Sequence, residues 1–202
     1  MEKKLTLKIN IGILLLGILI SLFFNAFPFK KLYSAPKYVN KIALGACITQ
    51  EKKQPIWKSI LKERSDIFIF MGDNVYGDDR VTGKLDKLSK AYKKQKTKIP
   101  FTKLEATNEV YAIWDDHDYG KNDGGADYQY KKEAKNLFLD FWNISLNDPR
   151  RNREGIYFET KKVTKKGLLQ IIFLDTRYFR SPLKRTDERG APGKERYLPD
   201  NS

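Results

Sequence analysis

The stretch DIFIFMGDNVYGD at Asp66–Asp78 decides the fold, because an apolar run of strand length stops abruptly at polar residues. The same pattern occurs in EVYAIW at Glu109–Trp114, which ends in Asp-Asp-His, and in GLLQIIFL at Gly167–Leu174, which ends in Asp-Thr-Arg. A shorter run, KIALGAC at Lys41–Cys47, comes first. Apolar strands without polar alternation are typical of a sheet that is covered on both faces. We therefore predict four buried strands.

Segments of helical character lie between these runs. Gln54–Arg64 has apolar residues at 56, 57, 60 and 61, the spacing of one helix face, and Lys131–Asn143 has a similar apolar face. The polar segment Arg80–Lys98 also reads as a helix, with few expected core contacts. Strands that alternate with helices predict an α/β layered fold with a sheet that is covered on both faces.

Polar side chains follow each predicted strand at its carboxyl end. In open α/β sheets, ligands bind outside these ends. An aspartate after a strand is most often a turn or helix cap, but four such endings that join carboxylates, a thiol, a phenol, an imidazole and a guanidinium favour a functional site. The residues in question are Cys47, Asp73, Tyr76, Asp115, Asp116, His117, Asp118, Asp175 and Arg177.

This set of residue types suits metal-assisted hydrolysis of phosphoryl or acyl groups. Carboxylates bind hard cations, and a bound metal turns water into a nucleophile near neutral pH. Histidine can protonate a leaving alkoxide, and arginine binds phosphate in a planar, bidentate manner. A Cys47–His117 nucleophile pair remains an alternative, whereas a Ser-His-Asp site is disfavoured because the sequence has no GxSxG elbow.

Composition limits the other possibilities. The chain has 202 residues, enough for one ordinary domain with a short appendage. One cysteine excludes an internal disulfide framework and a CxxC zinc site, and one histidine excludes a His-rich dimetal centre built from this chain. The formal net charge is +14, and lysine is densest at Lys84–Lys98. No aromatic-interleaved basic groove accompanies the lysines, so we expect no nucleic-acid partner.

Residues 1–35 read as a segment outside the folded domain. Three lysines in Met1–Lys8 precede the almost wholly apolar stretch Ile9–Phe24. A basic start before about 16 apolar residues is typical of a secretory signal or an N-terminal anchor. We therefore expect an exported protein on the periplasmic or extracellular face, with membrane contact possible through residues 9–24, and a domain over 36–202.

Four motifs carry a resemblance to a known family. GDNVYGD, WDDHDYGKNDGG and FLDTRYFR, together with GAC on the first strand, closely resemble the alkaline phosphatase D (PhoD-like) metallophosphatases. These are exported calcineurin-like phosphoesterases that act on phosphate monoesters and diesters. The resemblance covers about 41–198, and it implies a layered calcineurin-like metallophosphoesterase sandwich and a phosphate-ester substrate.

The resemblance also implies roles for individual residues. Cys47, Asp73 and Tyr76 would bind ferric iron with calcium ions beside it, and Asp116 would be a further metal ligand. His117 would stabilise charge or protonate the leaving group, and Asp118 would orient it. Asn122 and Arg177 would contact the substrate phosphate.

One departure from the family pattern concerns the end of the chain. Family members continue through further motifs that complete the metal site, whereas this sequence stops in GAPGKERYLPDNS at Gly190–Ser202, which reads as a surface loop. We therefore expect the N-terminal part of a PhoD-like domain, incomplete at the C-terminus. An alternative is a non-catalytic metal-binding remnant or an anchored binding protein.

Overall fold

The computed structural model describes residues 38–78, 84–185 and 197–199. The predicted signal or anchor over residues 1–35 lies outside these ranges, as do the residues between them. Within the described part of the chain, no helix has the length and apolar character needed to cross a membrane.

A three-stranded parallel sheet forms the centre of the fold. Its strands are β1 (Ile42–Gly45), β2 (Ile67–Phe70) and β3 (Glu109–Ala112), in the order β1-β2-β3. Ile67 of β2 pairs with Ile42 on one side and with Glu109 on the other. All three carboxyl ends therefore lie at the same edge of the sheet. The predicted α/β fold is confirmed, and the structure shows that its central sheet is parallel.

Five α-helices and one short 3-10 helix connect or cover the strands of the described region. They are α1 (Ile56–Glu63), α2 (Asp86–Lys96), α3 (Phe101–Glu105), α4 (Asp116–Tyr119), α5 (Lys131–Phe141) and the 3-10 helix Pro149–Arg151.

The last predicted strand does not join the parallel sheet. β5 (Gly167–Phe173) instead pairs antiparallel with β4 (Phe158–Thr164) in a separate two-stranded sheet. The physical reason is the connection: only Lys165 and Lys166 separate the two strands, and a parallel pair needs a long crossover. The expectation of a fourth buried strand in one sheet with the others is therefore wrong for the described residues.

Both faces of β2 are buried, which explains its unbroken apolar sequence. Phe68 and Phe70 belong to the main core, where Trp57 of α1 packs within 6.0 Å of the Phe68 ring. Ile67 and Ile69 lie on the opposite face, in a smaller cluster with Phe173 of β5. The helices thus cover one face of the sheet, and the β4–β5 hairpin covers part of the other.

Helix α2 makes more core contacts than its sequence predicts. Leu88, Ala91, Tyr92 and Gln95 are buried. Their spacing of three and four residues places them on one helix face. The surrounding lysines conceal this narrow stripe in the sequence, so the expectation of few core contacts is wrong.

The predicted terminal loop contains a strand. β7 (Tyr197–Pro199) pairs antiparallel with β6 (Leu183–Arg185) in a third small sheet. The interpretation of Gly190–Ser202 as loop throughout is therefore wrong at these three residues.

Leu88 offers a direct test of the α2 packing. Its side chain is fully buried, and a Cβ on Gly77 would lie 2.5 Å from the Leu88 Cα, which shows how closely α2 approaches the loop after β2. Leu88→Ala should lower the free energy of unfolding by about 2–5 kcal/mol, because it leaves a cavity. Urea unfolding of the full chain measures this. Leu146→Ala, at an 81% exposed position, is the control and should change the value by less than about 0.5 kcal/mol. Equal effects of the two changes would contradict the buried role of α2.

Candidate metal centre

The site begins where β1 and β2 end and the backbone turns sharply. Cys47 has φ 58°, Gly72 φ 111° and Asp73 φ 50°, all in the left-handed region that costs strain for a non-glycine residue. A Cβ on Gly72 would lie 2.6 Å from the Cβ of Asp115, so glycine is required for the close approach of the β2 and β3 ends. Sharp turns at adjacent strand ends bring the predicted side chains together.

Three of the predicted residues come within metal-binding reach of one another. Asp73, Asp116 and His117 each offer one ligand atom, and these atoms all lie within 4.8 Å of one another. Asp73 and Asp116 are 9% and 8% exposed. Buried carboxylates this close are unfavourable without compensating positive charge, so the cluster fits a cation.

The two carboxyl groups of the cluster differ in their electrostatic surroundings. Burial, opposed by His117 and reinforced by the negative charges of Asp116 and Asp115, raises the pKa of Asp73. Burial would also raise the pKa of Asp116, but the backbone N–H of Asp123 and the charge of Arg177 outweigh it and hold that pKa below the usual value. The Asp123 N–H lies 2.8 Å from Asp116 Oδ2.

Cys47 and Tyr76 both contact the same oxygen of Asp73. The Cys47 Sγ lies 3.7 Å and the Tyr76 hydroxyl 3.3 Å from Asp73 Oδ2. Burial and the charge of Asp73 raise the pKa of Tyr76. Although Cys47 is exposed as a whole residue, partial burial of its thiol and the Asp73 charge also raise the pKa of the thiol, and a hydrogen bond from Tyr76 opposes this shift. The thiol, phenol and carboxylate therefore form one cluster, in which a cation would favour the ionised form of each group.

The carboxylate that contacts His117 is Asp78, which sequence reasoning did not single out. His117 Nδ1 lies 2.6 Å from Asp78 Oδ1, and the two side chains are only 18% and 10% exposed. The His117 ring also packs on Tyr76, with ring centroids 4.4 Å apart. The only sequence signal for Asp78 is its place at the end of GDNVYGD, directly after the site turn.

Asp118 has a different role from the one that the sequence implied. Its carboxylate is fully buried and accepts hydrogen bonds from the backbone N–H groups of Asp73, Asn74 and Asp115, at 3.3, 3.2 and 2.6 Å. The Asn74 side chain donates a fourth, at 2.6 Å. Burial raises the pKa of Asp118, and these hydrogen bonds oppose that effect. Asp118 thus joins the ends of β2 and β3, and the expectation that it orients His117 is wrong.

Arg177 reaches the site from the segment after β5. Its Nε and Nη2 atoms both lie 2.5 Å from Asp115 Oδ1, and Nη2 lies 3.8 Å from Asp116 Oδ1. Within the described ranges its Nη1 atom is buried without a hydrogen-bond partner. Arg177 therefore shares its single positive charge between two carboxylates.

Asp175 fixes the position of Arg177. Its carboxylate accepts hydrogen bonds from the Trp114 indole at 2.8 Å, from the Arg177 N–H at 3.0 Å and from the Ile156 N–H at 2.8 Å. These bonds attach the end of β5 to the end of β3. The hairpin thus contributes to the site although its strands lie outside the parallel sheet.

Asn122 lies in the loop after α4, beside a residue that contacts Asp116. Its side-chain amide donates to Asp123 Oδ2 at 2.7 Å, while the Asp123 N–H donates to Asp116. The structure therefore links Asn122 to the carboxylate cluster through its neighbour, and its predicted contact with a phosphate stays a prediction.

The described elements define a mixed α/β protein with a candidate metal centre at the carboxyl edge of a parallel sheet. No protein-family model matches the sequence, and no curated protein matches it. Among solved structures, this chain is similar to the structure of PhoD, with a TM-score of 0.54 and 16% identity, over 75% of this chain and 34% of that one. The chain thus spans about a third of the length of the PhoD structure. The likeness establishes a PhoD-like fold.

A substitution at Asp118 tests its role at the strand ends. Asp118→Ala leaves three backbone N–H groups without their acceptor, two buried and one partly buried, and each such loss costs about 1–3 kcal/mol. We expect the free energy of unfolding of the metal-free chain to fall by at least about 3 kcal/mol. His117→Ala is the comparison and should cost less than about 1 kcal/mol, since its partly exposed ring supports no backbone group through its side chain. The reverse order in urea unfolding would contradict this assignment.

Proposed function

We propose that this chain is a metal-dependent phosphoesterase of the PhoD type that hydrolyses phosphate monoesters or diesters. The observation that carries the proposal is the convergence of Asp73, Asp116 and His117 within 4.8 Å at the carboxyl edge of the sheet. The PhoD-like fold supports it, since ligands bind at that edge in α/β proteins.

Asp73, Asp116, Cys47 and Tyr76 are the residues that we propose hold the metal ions. The resemblance implies that Cys47, Asp73 and Tyr76 bind ferric iron with calcium ions beside it, and carboxylate oxygens such as those of Asp73 and Asp116 also suit calcium. A metal bound there supplies an activated water near neutral pH. The raised pKa of Asp73 is consistent with a carboxyl group whose ionised form needs a nearby cation.

His117 is the proposed proton donor to the leaving alkoxide. Its Nδ1 atom lies against the Asp78 carboxylate at 2.6 Å, so a proton on Nδ1 is held there and Nε2 is left to exchange a proton with the substrate. Asp78 and the Tyr76 ring hold the imidazole in place from two directions. Such fixation keeps the catalytic proton at the required position.

Arg177 and Asn122 are the proposed contacts of the phosphate group. A phosphate ester approaches Asp115, Asp116 and Asp73 only where positive charge offsets their repulsion. Arg177 supplies part of that charge through its contacts with Asp115 and Asp116. The planar guanidinium is the side chain best suited to bind a phosphate group.

Turnover and metal content together test the proposed reaction. The full chain supplied with iron and calcium should bind metal and hydrolyse p-nitrophenyl phosphate or bis-p-nitrophenyl phosphate. His117→Ala should lower the turnover number by about 10²–10⁴-fold, the usual contribution of a positioned general acid. Glu159→Gln, at an exposed position of the β4–β5 hairpin, is the control and should not change it.

Two outcomes would contradict this function. Metal binding without turnover of either ester would indicate the alternative, a non-catalytic metal-binding protein. A change of less than about threefold in His117→Ala would exclude its proposed proton transfer.

We also propose that the domain over 36–202 lies outside the cytoplasmic membrane. The basis is the sequence of residues 1–35, with lysines before the apolar stretch Ile9–Phe24. A reporter enzyme that is active only after export, fused after Asn40, should be active, because the preceding residues direct it across the membrane. A fusion without Ile9–Phe24 is the control. An inactive but well-expressed full fusion would contradict export.

A further inference from the structure

Gln50 forms a two-point contact with the backbone of Tyr76. The Tyr76 N–H donates to Gln50 Oε1 at 3.0 Å, and Gln50 Nε2 donates to the Tyr76 carbonyl at 2.9 Å. Gln50 is only 3% exposed. A buried side-chain amide that satisfies both backbone groups of one residue fixes that residue in the way that a neighbouring strand would.

The contact between Gln50 and Tyr76 continues a series of hydrogen bonds between the two segments that follow β1 and β2. The Cys47 N–H donates to the Gly72 carbonyl at 3.1 Å, and the Ile48 N–H donates to the Asp73 carbonyl at 3.0 Å. Beyond Ile48 the Gln50 side chain provides the next connection between the two segments. The segment that carries Cys47 therefore also sets the positions of Asp73 and Tyr76.

A network of side-chain amides holds the Gln50 segment from the helix side. Gln54 Nε2 donates to the Thr49 carbonyl at 3.1 Å and to Gln95 Oε1 at 2.7 Å. Gln54 Oε1 in turn accepts from the Trp57 indole at 2.7 Å. Since Trp57 belongs to α1 and Gln95 to α2, two helices of the core restrain the loop from which Gln50 reaches Tyr76.

We infer that Gln50 is a positioning residue, which holds Tyr76 so that its phenol lies against Asp73 and Cys47. The inference rests on the proposed function, in which Tyr76 is a metal ligand. Gln50 itself acts only through the Tyr76 backbone. The Tyr76 hydroxyl lies 3.3 Å from Asp73 Oδ2, and a small rotation of the Tyr76 backbone would move that hydroxyl off the cluster.

Two substitutions separate the two hydrogen bonds of Gln50. Gln50→Leu removes both, whereas the carboxylate in Gln50→Glu still accepts from the Tyr76 N–H but cannot donate to its carbonyl. Asn108→Leu is the matched control. Asn108 is also a buried amide, 4% exposed, and its Nδ2 atom donates to the Ser65 carbonyl and to Ser65 Oγ, at the opposite edge of the sheet.

Hydrogen–deuterium exchange of the metal-free full chain is the first measurement. In Gln50→Leu the Tyr76 amide should exchange about tenfold faster or more, because it has lost its acceptor. In Gln50→Glu the rate should stay within about threefold of the wild type, because the acceptor remains. Asn108→Leu should lower the melting temperature but leave the Tyr76 rate unchanged, which separates positioning from general destabilisation.

Visible absorption of the iron-loaded full chain is the second measurement. Phenolate-to-iron charge transfer should give a band that Tyr76→Phe abolishes. Per bound iron, both Gln50 variants should lose about half of that band or more, because a displaced phenolate no longer bonds the metal well. Asn108→Leu should retain it.

The two measurements fail in different ways. A wild-type chain that binds iron without the band would exclude Tyr76 as a ligand, and with it the iron assignment of the proposed function, while the exchange rates still decide whether Gln50 fixes Tyr76. A Tyr76 exchange rate in Gln50→Leu that matches the wild type, or matches Asn108→Leu, would overturn the inference about Gln50.

Discussion

The candidate site depends on one buried carboxylate, that of Asp118. It accepts the backbone N–H groups that turn away from the sheet after β2 and after β3, and so it fixes the distance between the two strand ends. Asp73 and Asp116 carry like charges and would otherwise separate. The Asp118 carboxylate, which is buried away from solvent, fixes the backbone after both strands. The carboxyl groups of Asp73 and Asp116 therefore stay within 4.8 Å of each other.

The charges that surround Asp116 differ from those that surround Asp73. Asp116 faces Arg177 and the Asp123 N–H, which favour its ionised form, whereas Asp73 faces mainly other acids, a thiol and a phenol. The protein thus offsets the negative charge of Asp116 more than that of Asp73. A bound cation therefore gains most on the Asp73 side, from the carboxylate, thiol and phenol together.

The sequence predicted the parts of this arrangement that depend on strand ends. The apolar runs before Asp73 and Asp116 identify buried strands, and the structure shows that these strands are parallel, which brings their carboxyl ends together. The same argument could not predict which carboxylate contacts the His117 side chain. Asp118 adjoins His117 in the chain, but α4 turns its side chain into the core, and the contact comes from Asp78 on another loop. Neighbours in sequence along a helix point in different directions, so adjacency predicts no contact.

Sheet membership was equally hard to predict for the last apolar run. GLLQIIFL has the same apolar character as the strands of the parallel sheet, and only the two-residue connection before it determines that it folds back on β4. Its polar end nevertheless reaches the site, because Asp175 binds the Trp114 indole at the end of β3. The polar residues at the strand ends thus predicted that these ends meet at one site. They did not predict that β5 reaches the site as part of a hairpin with β4.

The composition of the site makes the molecule unusually simple to label. The chain contains one thiol and one imidazole, and both belong to the cluster around Asp73. Cys47 is exposed, so a fluorinated or spin-labelled thiol reagent would attach at one place only. The imidazole proton resonances of this protein likewise come from a single ring. The labelled thiol and the imidazole would therefore be two independent spectroscopic probes, each a few ångströms from the same carboxylate. No other thiol or imidazole in the sequence would add a signal.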